Sequence, residues 1–107
     1  MPDRGDLVWI TLSPQAGHEQ AGRRPALILS PQRYNQRAGL AVVCPVTSHV
    51  KGYPFEVALP SGGAVQGVIL ADQLKSVDWR ARRAEFAGRA SSEVLAEALA
   101  KVATLIQ

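Results

Sequence analysis

Two arginines, a glutamate and a histidine crowd the stretch GHEQAGRRPALILS, Gly17 to Ser30, where a polar, glycine-bearing loop runs into an apolar segment built for burial. Arg24 stands directly before Pro25, which pushes its backbone toward extended geometry and gives its guanidinium a rigid root. Glu19 lies five residues earlier, across a loop made supple by Gly22, close enough to form an ion pair that would orient the arginine toward a phosphate. The same residues also suit a surface salt bridge at the base of a loop, and pattern alone leaves both open.

Three further stretches have residue types that can do chemistry. In CPVTSHVKGYPFEV, Cys44 to Val57, the hydroxyls of Thr47 and Ser48, then His49 and Lys51, follow the end of an apolar strand, where a scaffold fixes polar groups and a loop exposes them. They are equally ordinary turn residues. In ADQLKS, Ala71 to Ser76, Gln73 and Lys75 would point to one side of an extended segment and could meet bases and phosphates, or Lys75 could guard a sheet edge. The cluster WRARR, Trp79 to Arg83, would suit a nucleic-acid strand through charge and stacking. A solvated turn with Trp79 tucked into the core accounts for it more simply.

Other features carry less. Arg4-Gly5-Asp6 spells an integrin-recognition tripeptide but reads as a turn into the first strand. Cys44 among valines is a buried small hydrophobe rather than a nucleophile, and as the single cysteine it excludes an internal disulfide. The two histidines, His18 and His49, lack ligand-spaced partners, so no metal site is expected.

An arginine, a carboxylate and a hydroxyl, with histidine nearby, suit cleavage of RNA without metal or cofactor. RNA carries its own nucleophile in the 2′-hydroxyl, so the protein need supply only a base, an acid, and cations for the charge that builds on phosphorus. By their ordinary pKa, His18 and His49 would be the acid and base, whereas an arginine is nearly impossible to deprotonate.

The elements that must hold these groups are short strands. Apolar runs separated by turn residues predict strands at Leu7 to Leu12, Ala26 to Leu29, Leu40 to Val46, Phe55 to Leu59, Val65 to Leu70 and Glu85 to Ala87. The breakers between them are SPQAG, SPQRYNQRAG, KGYP and PSGG. Only the C-terminus changes period: Val94, Leu95, Ala98, Leu99, Val102, Leu105 and Ile106 line one helical face, capped by Ser91 or Ser92, with Glu93 in the first turn. The fold class is thus mainly β, a sheet or small barrel closed by one helix. The first and third strands offer apolar side chains to both faces, which calls for two covers: the helix and the barrel interior, or a second subunit, so a homodimer is expected.

Size and composition agree. The 107 residues, 11.5 kDa in mass, are expected to form one domain, residues 1–107, too small for a separate cofactor-binding half. Hydrophobic residues make up 47% and charged ones 20%, with no apolar run near the roughly 20 residues of a membrane helix. The polar Met1 to Asp6 segment argues against a secretory leader, so a cytoplasmic location is expected. A net charge of +3 and a pI near 9.5 favour a polyanionic partner without identifying one.

Taken together and in order, GDLVWITLSPQAGHEQAGRRPALILS, VTSHVKGYPFEV and GVILADQLKSVDWRAR resemble the MazF/PemK family of bacterial toxin endoribonucleases, its MazF branch above all, from Gly5 to the closing helix. The resemblance implies a homodimer of SH3-like barrels that cuts single-stranded RNA at a short motif, an ACA-type triplet in that branch, with no metal and with the 2′-hydroxyl as nucleophile. It places the catalytic arginine on Arg24, the catalytic threonine on Thr47 and the loop glutamate on Glu19. Its RNA groove would add Ser48, Gln73 and Lys75, and Asn35 in the preceding loop. Arg24, staying protonated, would stabilise the phosphorane, Thr47 would hold a phosphate oxygen, and Glu19 would orient Arg24. Arg23 would face solvent or RNA. His18 and His49 depart from the family pattern, in which small or neutral polar residues are usual, so neither enters the catalytic set and the general base stays open. The family also implies an antitoxin whose acidic, disordered tail lies across the basic groove. Gyrase-poisoning toxins share the barrel but act through a C-terminal tail bearing a tryptophan, whereas this sequence ends ATLIQ; an RNA-binding relative without activity is the other alternative.

Overall fold

The computed structural model describes residues 1–12 and 22–107. The strands are β1 (Asp6–Thr11), β2 (Arg23–Ile28), β3 (Ala41–Thr47), β4 (Glu56–Ala58), β5 (Val68–Leu70), β6 (Lys75–Val77) and β7 (Glu85–Arg89); the helices are α1 (Gln32–Ala38) and α2 (Ser92–Ile106). All strands join one antiparallel sheet in the order β4-β5-β3-β2-β1-β7, with β6 also paired to β3. The sheet is mainly β with a C-terminal helix, as expected, and its hydrogen-bonded path remains open.

The centre of the sheet is β3. One edge pairs with β2, Leu27 opposite Cys44 and Ile28 opposite Val43. The other edge is shared: Ala41 to Val43 pair with β6, and Val46 and Thr47 pair with β5. Pro45, with no N–H to give a ladder, falls at the changeover, and the single turn Ala71–Gln73 carries the chain from β5 to β6.

Alternation along the strands sends side chains into two cores. Leu7, Leu27, Leu29, Cys44 and Val46 pack on one side with Val57, Ile69 and the α2 face Val94, Ala98 and Val102. Val8, Ile10, Leu12, Ala26, Ile28, Ala41 and Val43 pack on the other, where Val77 and Trp79 fold over them. One face is therefore covered by α2 and the other by Val77 and Trp79, while Trp9, Leu40 and Phe86 stay exposed. Ser91, not Ser92, caps α2, its hydroxyl accepting from the Val94 N–H at 3.1 Å. Leu105 and Ile106 share the helix period yet stay exposed.

Four local expectations are corrected. SPQRYNQRAG, read as a breaker, contains α1, bounded by Pro31 and by Gly39 at φ +71°, the signs of a helix start and stop. The predicted strand Val65 to Leu70 begins only at Val68, because Gly67 turns the chain at φ +115° and leaves Val65 as a buried loop residue. ADQLKS is not one extended segment: Gln73 ends the helical turn and Lys75 starts β6. The strand expected at Ala26 begins earlier, at Arg23, so Arg23, Arg24 and Pro25 belong to the ladder with β1.

Candidate active site

Because Arg24 is a strand residue, its position is set by β1, where it stands opposite Ile10. The paired β2–β3 ladder ends at Ala26 opposite Pro45, two residues short of Arg24 on one strand and of Thr47, the last residue of β3, on the other. The two residues line two adjoining cavities. One, of about 330 Å³, has Trp9, Ser48 and Gln66 on its walls; the other, of about 400 Å³, has Leu12, Gln73 and Lys75. Arg24, Ser48, Gln73 and Lys75 are exposed and Thr47 half-buried, so five of the expected site residues share one open groove.

The Thr47 hydroxyl is oriented by its own loop. Its oxygen accepts from the His49 backbone N–H at 3.1 Å, which leaves the hydroxyl proton to point at a ligand. Such a donor, beside a permanent cation, suits the equatorial oxygens of a phosphate under attack. Beyond Thr47 the groove continues into a third cavity, of about 310 Å³, lined by Thr47, His49, Lys51, Tyr53, Glu56, Leu70 and Gln73. His49 is exposed there and was kept out of the catalytic set on sequence grounds. Glu19 and His18 lie outside the described residues.

The neighbouring arginine does something else. The Arg23 guanidinium donates to the carbonyls of Trp9 at 3.1 Å and Arg83 at 2.9 Å, to Thr11 Oγ1 at 3.3 Å, and pairs with Glu85 at 3.4 Å. With its side chain 35% exposed, it clips β1 and β2 to the turn before β7. Arg82 donates to the carbonyls of Thr11 and Leu12 at 3.1 and 3.0 Å, and Arg80 lies 4.9 Å over the Trp79 ring. The WRARR cluster is thus the simpler of its two readings, a turn with its tryptophan buried.

Asn35 is a correction. Instead of reaching RNA from a loop, it is fully buried on α1. Its side chain accepts from Ser30 Oγ at 2.6 Å and donates to the Ser30 and Pro2 carbonyls at 3.0 Å, while its own carbonyl accepts from Trp79 Nε1 at 2.9 Å. Every polar group is committed to holding the N-terminal segment, α1 and Trp79 together. Cys44 behaves as expected of a buried hydrophobe: burial, with the Asp72 charge adding to it, pushes its thiol up to about 12, far from a nucleophile.

Sequence reasoning named Lys51 but neither Tyr53 nor Glu56 in the Lys51 to Glu56 loop, which is held by a carboxylate. Glu56 accepts from the N–H groups of Lys51, Gly52 and Tyr53 at 3.0, 3.1 and 3.4 Å. These bonds, the Lys51 N–H foremost, hold its carboxyl below the ordinary carboxylate range. Tyr53 donates its hydroxyl to Asp72 at 3.1 Å, which raises the phenol above its usual value.

Residues 3–106 match the family model of the PemK-like, MazF-like toxin of type II toxin–antitoxin systems. The chain belongs to that family. It is 50% identical to the Escherichia coli K12 endoribonuclease toxin MazF over 106 residues, covering 99% of this chain and 95% of that one. Among solved structures it is similar to MazF from Deinococcus radiodurans, with 58% identity and a TM-score of 0.89, covering 98% of this chain and 96% of that one. It is also similar to a chain of the MazE–MazF crystal structure from the same organism, at 51% identity and a TM-score of 0.88, covering 98% and 94%. With family membership, the convergence of Arg24 and Thr47 in one groove becomes a question of mechanism.

Proposed function

We propose that this toxin cleaves single-stranded RNA in the groove between Arg24 and Thr47, by attack of the substrate's own 2′-hydroxyl. The chain is an endoribonuclease toxin of a type II toxin–antitoxin system. The observation that supports the mechanism is that Arg24 and Thr47 line the same two open cavities. In the reaction the 2′-oxygen attacks phosphorus, the bond to the 5′-oxygen breaks, and the products are a 2′,3′-cyclic phosphate and a 5′-hydroxyl. A base takes the 2′-hydroxyl proton and an acid returns one to the leaving oxygen. Arg24 stabilises the charge on the phosphorane and Thr47 donates its hydroxyl to an equatorial oxygen. Glu19, outside the described residues, is assigned to orienting Arg24 on the family resemblance alone.

Ser48, Gln73 and Lys75 extend the groove and hold the strand on either side of the cut, with Lys75 as a phosphate contact. The recognised motif is a short one of the ACA type. The working form is a homodimer of SH3-like barrels in the cytoplasm, one domain per chain, restrained by an antitoxin whose acidic, disordered tail occupies the basic groove. Arg24 and Thr47 together favour cleavage over a gyrase-binding role on the same fold.

The test is incubation of the purified protein, in EDTA, with a long unstructured RNA, followed by mapping of cut sites and end chemistry. Cuts at one short motif with 5′-hydroxyl ends are expected, together with loss of all cutting in folded Arg24→Ala. Intact RNA from the folded wild type, or wild-type cutting by Arg24→Ala, would overturn the mechanism.

A further inference from the structure

The third cavity of the groove has no task in the phosphate chemistry. Its shape and lining suit a flat ring. Tyr53 presents an exposed aromatic face, 48% accessible, and its hydroxyl is tied to Asp72 on the neighbouring turn, so the ring is held in place instead of swinging on its stem. Leu70 supplies an apolar wall, and Gln73, His49 and Lys51 supply hydrogen-bonding groups around it. At about 310 Å³ the space exceeds that of a side chain or a few waters.

Its position is equally informative. Thr47, Leu70 and Gln73 line both this cavity and the one that contains Arg24, so the two are continuous. A nucleotide whose phosphate lies between Arg24 and Thr47 has a base that must go somewhere within one sugar's reach. Single-stranded RNA is read by splaying bases out of the strand onto aromatic rings and bonding their edges. The loop is also built before any ligand arrives, because Glu56 gathers three consecutive N–H groups beneath it.

Resting on the endoribonuclease reading, we propose that this cavity is a nucleobase pocket, in which Tyr53 stacks on the base of a nucleotide adjoining the scissile phosphate while Gln73, His49 and Lys51 read its edge. Tyr53 is then a specificity-determining residue. Asp72 is a positioning residue that acts through the tyrosine hydroxyl, and its second carboxylate oxygen is buried without a partner among the described residues. His49, on the wall of this cavity, adds an edge contact to the reading of the motif.

The experiment uses the full-length protein and a short RNA carrying the mapped cut motif, together with a series in which one nucleotide at a time is made abasic. In the wild type, one abasic position next to the cut should lower kcat/KM by about tenfold to a hundredfold, the range of a lost base–aromatic stack. Tyr53→Leu should lower cleavage of the intact RNA by a similar factor and add nothing on that one abasic substrate, while Tyr53→Phe keeps most of the activity. A Tyr53→Leu loss that is equal on intact and abasic RNA would overturn the pocket. Binding provides a second readout that needs no cleavage. A strand with a 2′-deoxy sugar at the cut site and 2-aminopurine at the pocket position should be quenched by wild type and Tyr53→Phe and not by Tyr53→Leu. Quenching by all three would also overturn it. Wild-type protein that quenches the probe yet cuts no RNA would count against the endoribonuclease mechanism and not against the pocket.

Discussion

Gly67 lies directly against the backbone of Thr47: a β-carbon on it would stand 2.9 Å from the Thr47 carbonyl carbon, closer still to the oxygen, and 3.2 Å from Ser48 Cα. Those atoms are backbone and cannot swing aside. The end of β3 therefore sits where it does because the residue facing it has no side chain.

Gly67→Ala should displace Thr47 and Ser48, and displacement on the ångström scale can cost about a hundredfold in kcat. Its backbone strain also costs about 1–3 kcal/mol. The control is Gly62→Ala in the same loop, at φ +88° with nothing within 4 Å, which carries comparable strain and touches nothing. Thermal melts should fall for both, and kcat of the folded protein only for Gly67→Ala; equal kcat in the two variants would refute the positional role.

The adjacent arginines should separate cleanly. Arg24→Ala is expected to abolish cleavage and leave stability within about 0.5 kcal/mol, as for an exposed residue. Arg23→Ala removes a side chain bonded to Trp9, Thr11 and Arg83, and should cost about 2 kcal/mol. Denaturant unfolding of both variants checks this, and a stability loss larger in Arg24→Ala than in Arg23→Ala would contradict the structure.

Asn35→Ala leaves the Ser30 hydroxyl and two carbonyls in the interior without their partner, at a cost of about 2–4 kcal/mol. RNA affinity of the folded variant should match wild type, measured on a strand that cannot be cut. A selective loss of affinity with unchanged stability would restore Asn35 to the RNA groove.

Acid should loosen the Lys51 to Glu56 loop. The Glu56 carboxyl is held below its usual value of 4.5 in the folded chain, so its contribution is present above that pH and is lost as pH falls through the lower folded value. Amide exchange at Lys51, Gly52 and Tyr53 should quicken only in that acid range, and at neutral pH in Glu56→Gln. Protection unchanged down to pH 2 would show that the carboxylate does not hold the loop.

The sequence made the interior legible and the joints obscure. Apolar runs located all the long strands, because burial on two faces leaves a dense signal in β1 and β3. The strand β6 was legible only as part of a longer extended segment because Lys-Ser-Val has one buried residue, and α1 was missed because seven residues with only Asn35 inside carry no apolar period. Arg24 and Thr47 were readable as residue types near strand ends, and the family resemblance supplied their pairing, yet the groove they share depends on strand pairing that no local pattern contains. The ties of Arg23 were out of reach for the same reason: its partners lie up to 62 residues away in sequence. The contact of Gly67 with Thr47 joins a loop to a strand end, which composition cannot express.

The central place of β3 has a consequence for control. Thr47 is on the strand that pairs with β2, β5 and β6, and Arg24 is on its immediate neighbour. Loops open by local fluctuations of low free energy, whereas a strand bonded on both edges opens only with the whole sheet. On the proposed mechanism, Arg24 and Thr47 draw their stability from the sheet, so covering the groove silences this toxin at lower cost than melting it.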